Sequence, residues 1–294
     1  MSTLIEQVKS KLFIASSRLS TNALDGEYQS ALRGRSLDFD DLHRYEHGDD
    51  IRDIDWRATA RLGVPLVKRS KAERAQTVLF AVDSGRGMAA LAPDGEPKRD
   101  LAILAMGMLG FLSLRHGDQF GVLSGDAEQV QRSDIRRSEG ALEVALRKIQ
   151  TATTPTAARS DIEKLLDTVV RTVSRRCILV VIADAAPISA RTEKLMRRLR
   201  VQHDVVWVTI ADADPILERR GSGTQRVDID TGWRVPDFLN GDEEVLEELA
   251  AFDRANATHR AALMVKLGIT HAELREPETA VSELLRMLDR RSRV

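Results

Sequence analysis

Asp83 ends the apolar run Val78, Leu79, Phe80, Ala81 and Val82, and four residues with two glycines, Ser84-Gly85-Arg86-Gly87, turn away from it. The run reads as a buried strand, being too short for a helix and rich in strand formers. In an open parallel α/β sheet the carboxyl ends of the strands form the edge where ligands bind. A carboxylate at that place could hold a metal, stand by a phosphate cradled on the glycine turn, or only shape the turn. A second apolar run, "CILVVIAD", ends in the same way at Asp184.

The phosphate reading is the weakest. Gly85, Gly87 and Ala90 spell G-x-G-x-x-A after a strand, the outline of a dinucleotide fingerprint. That motif needs a helix that begins within the glycines, so that its amino terminus faces the pyrophosphate. Here Pro93, Gly95 and Pro97 break any helix before Lys98. The next acid at a strand end, Asp126, comes about 40 residues later, against about 20 in the fingerprint. No glycine is followed by lysine, so a P-loop is absent too.

Other enzymatic constellations are missing. The six histidines form no H-E-x-x-H, and no G-x-S-x-G elbow occurs. His43 and His47 are four apart, but two ligands are too few for a zinc site. A metal-dependent hydrolase built on Asp83 and Asp184 is the remaining enzymatic alternative.

The elements that must position these residues alternate between strand and helix from about residue 77. Strands are expected at "TVLFAV", "QFGVLSG", "CILVVIAD" and "DVVWVTIAD", with possible ones at "EQVQRS" and "ITHAEL". Between them lie a buried helix, "KRDLAILAMGMLGFLSLRHG", and amphipathic helices. One of these, "SDIEKLLDTVVRTVSRR", is expected to be capped by Ser160 with Glu163 three residues on. Alternation of this kind argues for a doubly wound, mostly parallel sheet covered on both faces.

The flanks differ. Residues 1–24 read as an amino-terminal helix with Leu4, Val8, Leu12, Ala15 and Leu19 on one face. Residues 25–76 and 215–240 carry short alternating patterns that suggest a small β-rich accessory subdomain formed jointly. Residues 77–214 and 241–294 then supply the core. Net charge is −1 with 30% charged residues of mixed sign, which gives no reason to expect nucleic acid as a partner. Cys177, the one cysteine, reads as a small core residue. The longest apolar stretch, residues 101–114, falls short of the roughly 20 residues of a membrane span. With no signal-peptide pattern at the start, a cytoplasmic protein without membrane insertion is expected.

Asp83, Ser160 and Asp184 resemble the metal-ion-dependent adhesion site of von Willebrand factor A domains. There the first strand ends in D-x-S-x-S, a later loop adds a threonine or serine, and a third adds an aspartate. The three residues match the first aspartate, the loop hydroxyl and the last aspartate of that pattern. Hard cations such as magnesium take such oxygen ligands and keep one position for a partner's carboxylate. Gly85 and Gly87, however, stand where two hydroxyl ligands should be. The resemblance therefore implies a degenerate site, empty at ordinary magnesium levels and at best a weak magnesium binder. Arg86 is a candidate to lay its guanidinium near the two aspartates in place of the cation.

Upstream, "HRYEHGDDIRDIDWRATAR" resembles the bacterial family called domain of unknown function 58. Its usual form is R-x-Y-x-x-G-D-D-x-R-x-I-D-W, and here Gly48, Asp49, Asp50, Arg52, Ile54, Asp55 and Trp56 stand in register. Arg44 lies one place nearer Tyr45 than in that form. The residues suggest a network in which Asp49, Asp50, Asp53 and Asp55 face Arg44, Arg52, Arg57 and Arg61, with Trp56 as an apolar anchor. Such a network is either structural or a docking surface.

The resemblance implies a von Willebrand factor A-like core and a non-catalytic adaptor with no cofactor. Members of the family are commonly encoded beside a MoxR-type AAA+ ATPase. That points to this ATPase and an unknown client protein as partners in chaperone-like maturation or assembly. Asp83, Ser84, Arg86 and Asp184 are the expected partner-binding residues, on loops 83–88, 153–161 and 184–188.

Overall fold

The computed structural model describes residues 3–16, 41–46, 51, 54–69, 75–214, 226–234 and 236–292. The elements run α1 (Leu4–Ser16), β1 (Asp41–Arg44), α2 (Trp56–Leu62), β2 (Leu66–Arg69), β3 (Thr77–Asp83), α3 (Lys98–Arg115), β4 (Gln119–Gly125) and β5 (Val130–Arg132). They continue with α4 (Glu139–Ala152), α5 (Ile162–Thr172), β6 (Ile178–Asp184), α6 (Ala190–Gln202), β7 (Asp204–Ile210), α7 (Glu243–Leu267), β8 (Thr270–Leu274) and α8 (Pro277–Ser292).

Six strands form one sheet in the order β5-β4-β3-β6-β7-β8. All neighbours are parallel except β5, which runs antiparallel to β4 along the edge. β3 is buried from Val78 to Asp83 and β6 from Ile178 to Ala183 because helices cover both faces. Along β3, Val78, Phe80 and Val82 enter the core beneath α1, α3, α4 and α8, while Leu79 and Ala81 enter the core beneath α5, α6 and the end of α7. This period of two explains why the strand reads as one unbroken apolar run. Cys177 is 8% exposed within the second core, as a structural cysteine should be.

From β3 the chain winds first to β4 on one side, then crosses to β6 on the other. The switch point of this doubly wound sheet therefore lies between the carboxyl ends of β3 and β6. Those ends are Asp83 and Asp184. The α/β fold class read from the sequence is the one observed, with helix α1 laid on the first core through Ile5, Val8 and Leu12.

The accessory segments form less than one joint sheet among the described residues. β1 pairs with β2 in an antiparallel two-stranded sheet, and Ile54 bridges to Val67 beside it. Residues 226–234 close on themselves: Val227 bridges to Arg234 around a turn in which Gly232 has φ +72°. Residues 25–40 and 215–225 lie outside the described residues.

Candidate functional site

The sheet delivers Asp83 and Asp184 to adjacent positions, since Val82 is in register with Ile182 and each strand runs on to its aspartate. Asp83 is 2% exposed and its Oδ1 accepts the Gly85 N–H at 2.9 Å. Burial, followed by the charge of Asp184, pushes its carboxyl up to about 7; the Gly85 N–H, Ser160 and Lys98 act in the opposite direction. Asp184 Oδ1 accepts the Ala186 N–H at 3.2 Å.

Ser160 arrives from the loop before α5 as expected, but it does not cap that helix. Asp161 is the N-cap, accepting the Lys164 N–H at 2.9 Å. An aspartate is as good a cap as a serine. Its use here leaves the Ser160 hydroxyl turned toward the aspartates. That oxygen is buried beside Asp83, whose charged form it favours.

The glycines do more than omit two ligands. A Cβ on Gly85 would lie 2.5 Å from both the Cα and the N of Ser160, and a Cβ on Gly87 would lie 2.8 Å from Ser160 Oγ and 3.3 Å from Asp184 Oδ2. The Ser160 loop has closed into the space that serine side chains would fill. It is fastened there, with Arg86 N–H donating to Ala158 O at 2.9 Å and Ala127 N–H donating to Arg159 O at 2.8 Å.

The positive charge at the site comes from Lys98, which sequence reasoning missed. Lys98 opens α3, is 2% exposed, and forms an ion pair with Asp212 just past β7. Its Nζ also stands 3.9 Å from Asp184 Oδ2. Asp212 is about half-exposed; burial pushes its carboxyl up while the Lys98 charge holds it down. A cation at a helix amino terminus opposes the macrodipole. Two carboxylates at strand ends offset that cost. The anomaly was visible in the sequence: Lys98 and Arg99 begin an otherwise apolar helix where acids are preferred.

Arg86 does not stand in for the cation. Its Nε donates to Asp230 Oδ1 at 2.9 Å and its Nη2 donates to Asp230 O at 3.0 Å, fastening the 226–234 turn to the edge. The buried space beside the aspartates is already held by Lys98, so the loop arginine turns outward to a carboxylate of its own. Arg159 reaches the same Asp230 oxygen at 3.8 Å.

These placements revise which residues a partner can touch. Asp83 and Ser84 are buried, at 2% and 4% exposure, and lie beneath the loops. An open concavity lies near them, a groove of 440 Å³ between the ends of β6, β7 and β8 and the helix α7. Pro187, Asp212, Phe252, Arg254 and Arg275 line it. Arg260 forms its floor, donating to Ala185 O at 2.7 Å and to Glu273 Oε2 at 3.1 Å.

The donor set does not suit a magnesium ion. Two carboxylates and one hydroxyl face one another, the positions of two further hydroxyls are closed by backbone, and an ammonium already neutralises the cluster. Among the described residues no group of three or more His, Cys, Asp or Glu side chains could hold a metal ion.

The charged block upstream is only partly described, with residues 47–50, 52 and 53 outside the described set. Asp55 caps α2, its Oδ1 accepting the Arg57 N–H at 2.9 Å and the Ala58 N–H at 3.0 Å. That cap puts Trp56 at the first helical position, where it is 67% exposed. Trp56 is therefore a surface aromatic and not the expected apolar anchor.

The family model described as "Protein of unknown function DUF58" matches residues 41–235, about two thirds of the chain. The chain belongs to this family. Uncharacterized proteins of Mycobacterium tuberculosis and Mycobacterium bovis are 27% identical to this DUF58 chain over 249 residues, covering 81% of it and 73% of each relative. Among solved structures, it is similar to an aerotolerance-related membrane protein from Bacteroides fragilis. The identity is 15% and the TM-score 0.42, over 74% of this chain and all of the other. It is also similar to a von Willebrand factor type A protein from Catenulispora acidiphila, at 11% identity and a TM-score of 0.38, over 78% of this chain and 44% of the other. No described helix is long and apolar enough to cross a membrane.

Proposed function

We propose that this DUF58 chain is a non-catalytic protein-interaction module that engages its partner across the carboxyl edge of the sheet without a bridging divalent cation. The observation that carries the reading is the buried Lys98 ammonium between Asp184 and Asp212, a tethered cation beside one of the carboxylates that the resembled site would offer to a metal. A partner carboxylate has no open coordination position to fill. Recognition falls instead to the groove beside the cluster, where Phe252 supplies apolar surface and Arg254 and Arg275 supply donors.

The family resemblance proposes a MoxR-type AAA+ ATPase as the partner and maturation or assembly of a client as the setting. A pull-down with the MoxR-type ATPase of the same genome, with and without EDTA, tests the reading. Binding in both conditions supports it. No binding in either defeats the adaptor, and binding only with divalent metal defeats the metal-free mechanism. The hydrolase alternative needs Asp83 and Asp184 to present a metal to a substrate, and a carboxylate that is 2% exposed beneath a fastened loop is poorly placed for that.

A further inference from the structure

Two charged features, at the amino and carboxyl edges of the sheet, meet no opposite charge among the described residues. The first is a cavity of 120 Å³ at the amino edge of the sheet, on the face covered by α5. Its walls are Leu79, Ile135 and Val173, and its rim carries Arg132, Arg175 and Arg176; among the described residues no aspartate or glutamate lines it. Arg132 donates to Thr172 O at 3.1 Å. Arg175 and Arg176 are exposed and pair with no carboxylate among the described residues. Three guanidiniums around an apolar hollow repel one another and suit an anionic group on an aliphatic stem.

The second is the start of α7. This helix has 25 residues, about 37 Å, whereas the strand β8 that follows it has five, about 17 Å. Arg260 already touches Ala185 O, just past the end of β6, so the turns before it carry the helix onto and beyond the carboxyl edge. Those turns hold Glu243, Glu244, Glu247 and Glu248, all exposed and none paired with a cation among the described residues. The macrodipole favours Glu243 and Glu244 in the first turn, but the pairs 243/247 and 244/248 set like charges four apart, which works against that gain in a helix left alone.

One chain cannot join the two features, because the sheet separates them. A second copy can. We propose that the amino-edge cavity receives the acidic first turns of α7 from another molecule, so that the chain associates head to tail. A glutamate suits the hollow: its aliphatic stem would meet the apolar walls and its carboxylate the arginine rim. An inorganic anion would leave those walls wet. The contact is heterologous, so it propagates beyond a dimer unless its rotation closes a ring. Because both halves are exposed, it weakens steeply with salt.

Sedimentation velocity on the full chain tests this. The expected result is a weight-average mass about twofold above the monomer's at about 20 mM salt, falling to the monomer's at about 500 mM. Arg175→Glu/Arg176→Glu and Glu244→Arg/Glu247→Arg should each be monomeric at low salt with the wild-type circular dichroism spectrum, since all four positions are exposed. Mixing the two variants should restore association, because each keeps the half the other has lost. A wild type that stays monomeric at low salt overturns the proposal. So does association that both variants retain, or a mixture that stays monomeric.

Discussion

Lys98→Met removes the ammonium at the centre of the carboxyl edge while keeping an unbranched stem of similar length. Removing one partner of a buried ion pair costs about 3–5 kcal/mol, because the other charge is left uncompensated. Two features set the cost at the lower end. Asp212 is about half-exposed and regains water, and Asp83, already at about 7, can take up a proton to relieve Asp184. The expected loss is therefore about 3 kcal/mol. Unfolding a chain of this length carries an entropy of about 0.6 kcal/mol/K near its midpoint, so Tm should fall by about 5 °C. Differential scanning calorimetry of the variant and the wild type at pH 7.5, with circular dichroism to confirm the fold, measures it. A variant within about 1 °C of the wild type, or above it, would refute the view that Lys98 neutralises this cluster.

Asp83→Asn tests the buried carboxyl itself. The native state holds this proton up to about pH 7, while the unfolded chain releases it near 3.8. The native state thus binds more protons between those values, and stability falls as pH rises through that window and stays lowered above it. Relative to Asp83→Asn, the wild type should lose up to about 4 kcal/mol between pH 4 and 7.5, read from Tm against pH; parallel curves would count against the placement. Gly85→Ala should destabilise by about 1–3 kcal/mol because its Cβ meets Ser160 backbone, and Gly87→Ala by less because its neighbour is a hydroxyl that can rotate. Chemical denaturation ranks the two, and the reverse order would show that the Ser160 loop is not fixed as described.

The frame of the site was legible and its charge balance was not. Asp83 and Asp184 announced themselves because each ends an apolar run, and a doubly wound order brings such ends together at the switch point. Ser160 was placed at the right loop for a partly wrong reason, since Asp161 next to it takes the capping role. Arg86 was assigned to the aspartates on proximity in sequence, yet a loop side chain can reach a residue 144 positions away, and Asp230 takes it. Lys98 shows the opposite case. Its partner Asp212 is 114 residues distant, and only the mismatch of a cation with a helix amino terminus hinted at it. The burial of Asp83 and Ser84 follows from loops whose closure depends on the two glycines. Sequence reasoning took those glycines as missing ligands and not as close contacts.

The cluster at the carboxyl edge carries its own cation, so the most direct measurement is isothermal titration of the wild-type chain with magnesium and manganese at pH 7.5. Lys98 and the closed Ser160 loop predict no saturable binding of either ion up to millimolar concentration. A stoichiometric site with a micromolar dissociation constant, lost in Asp184→Asn, would contradict the account.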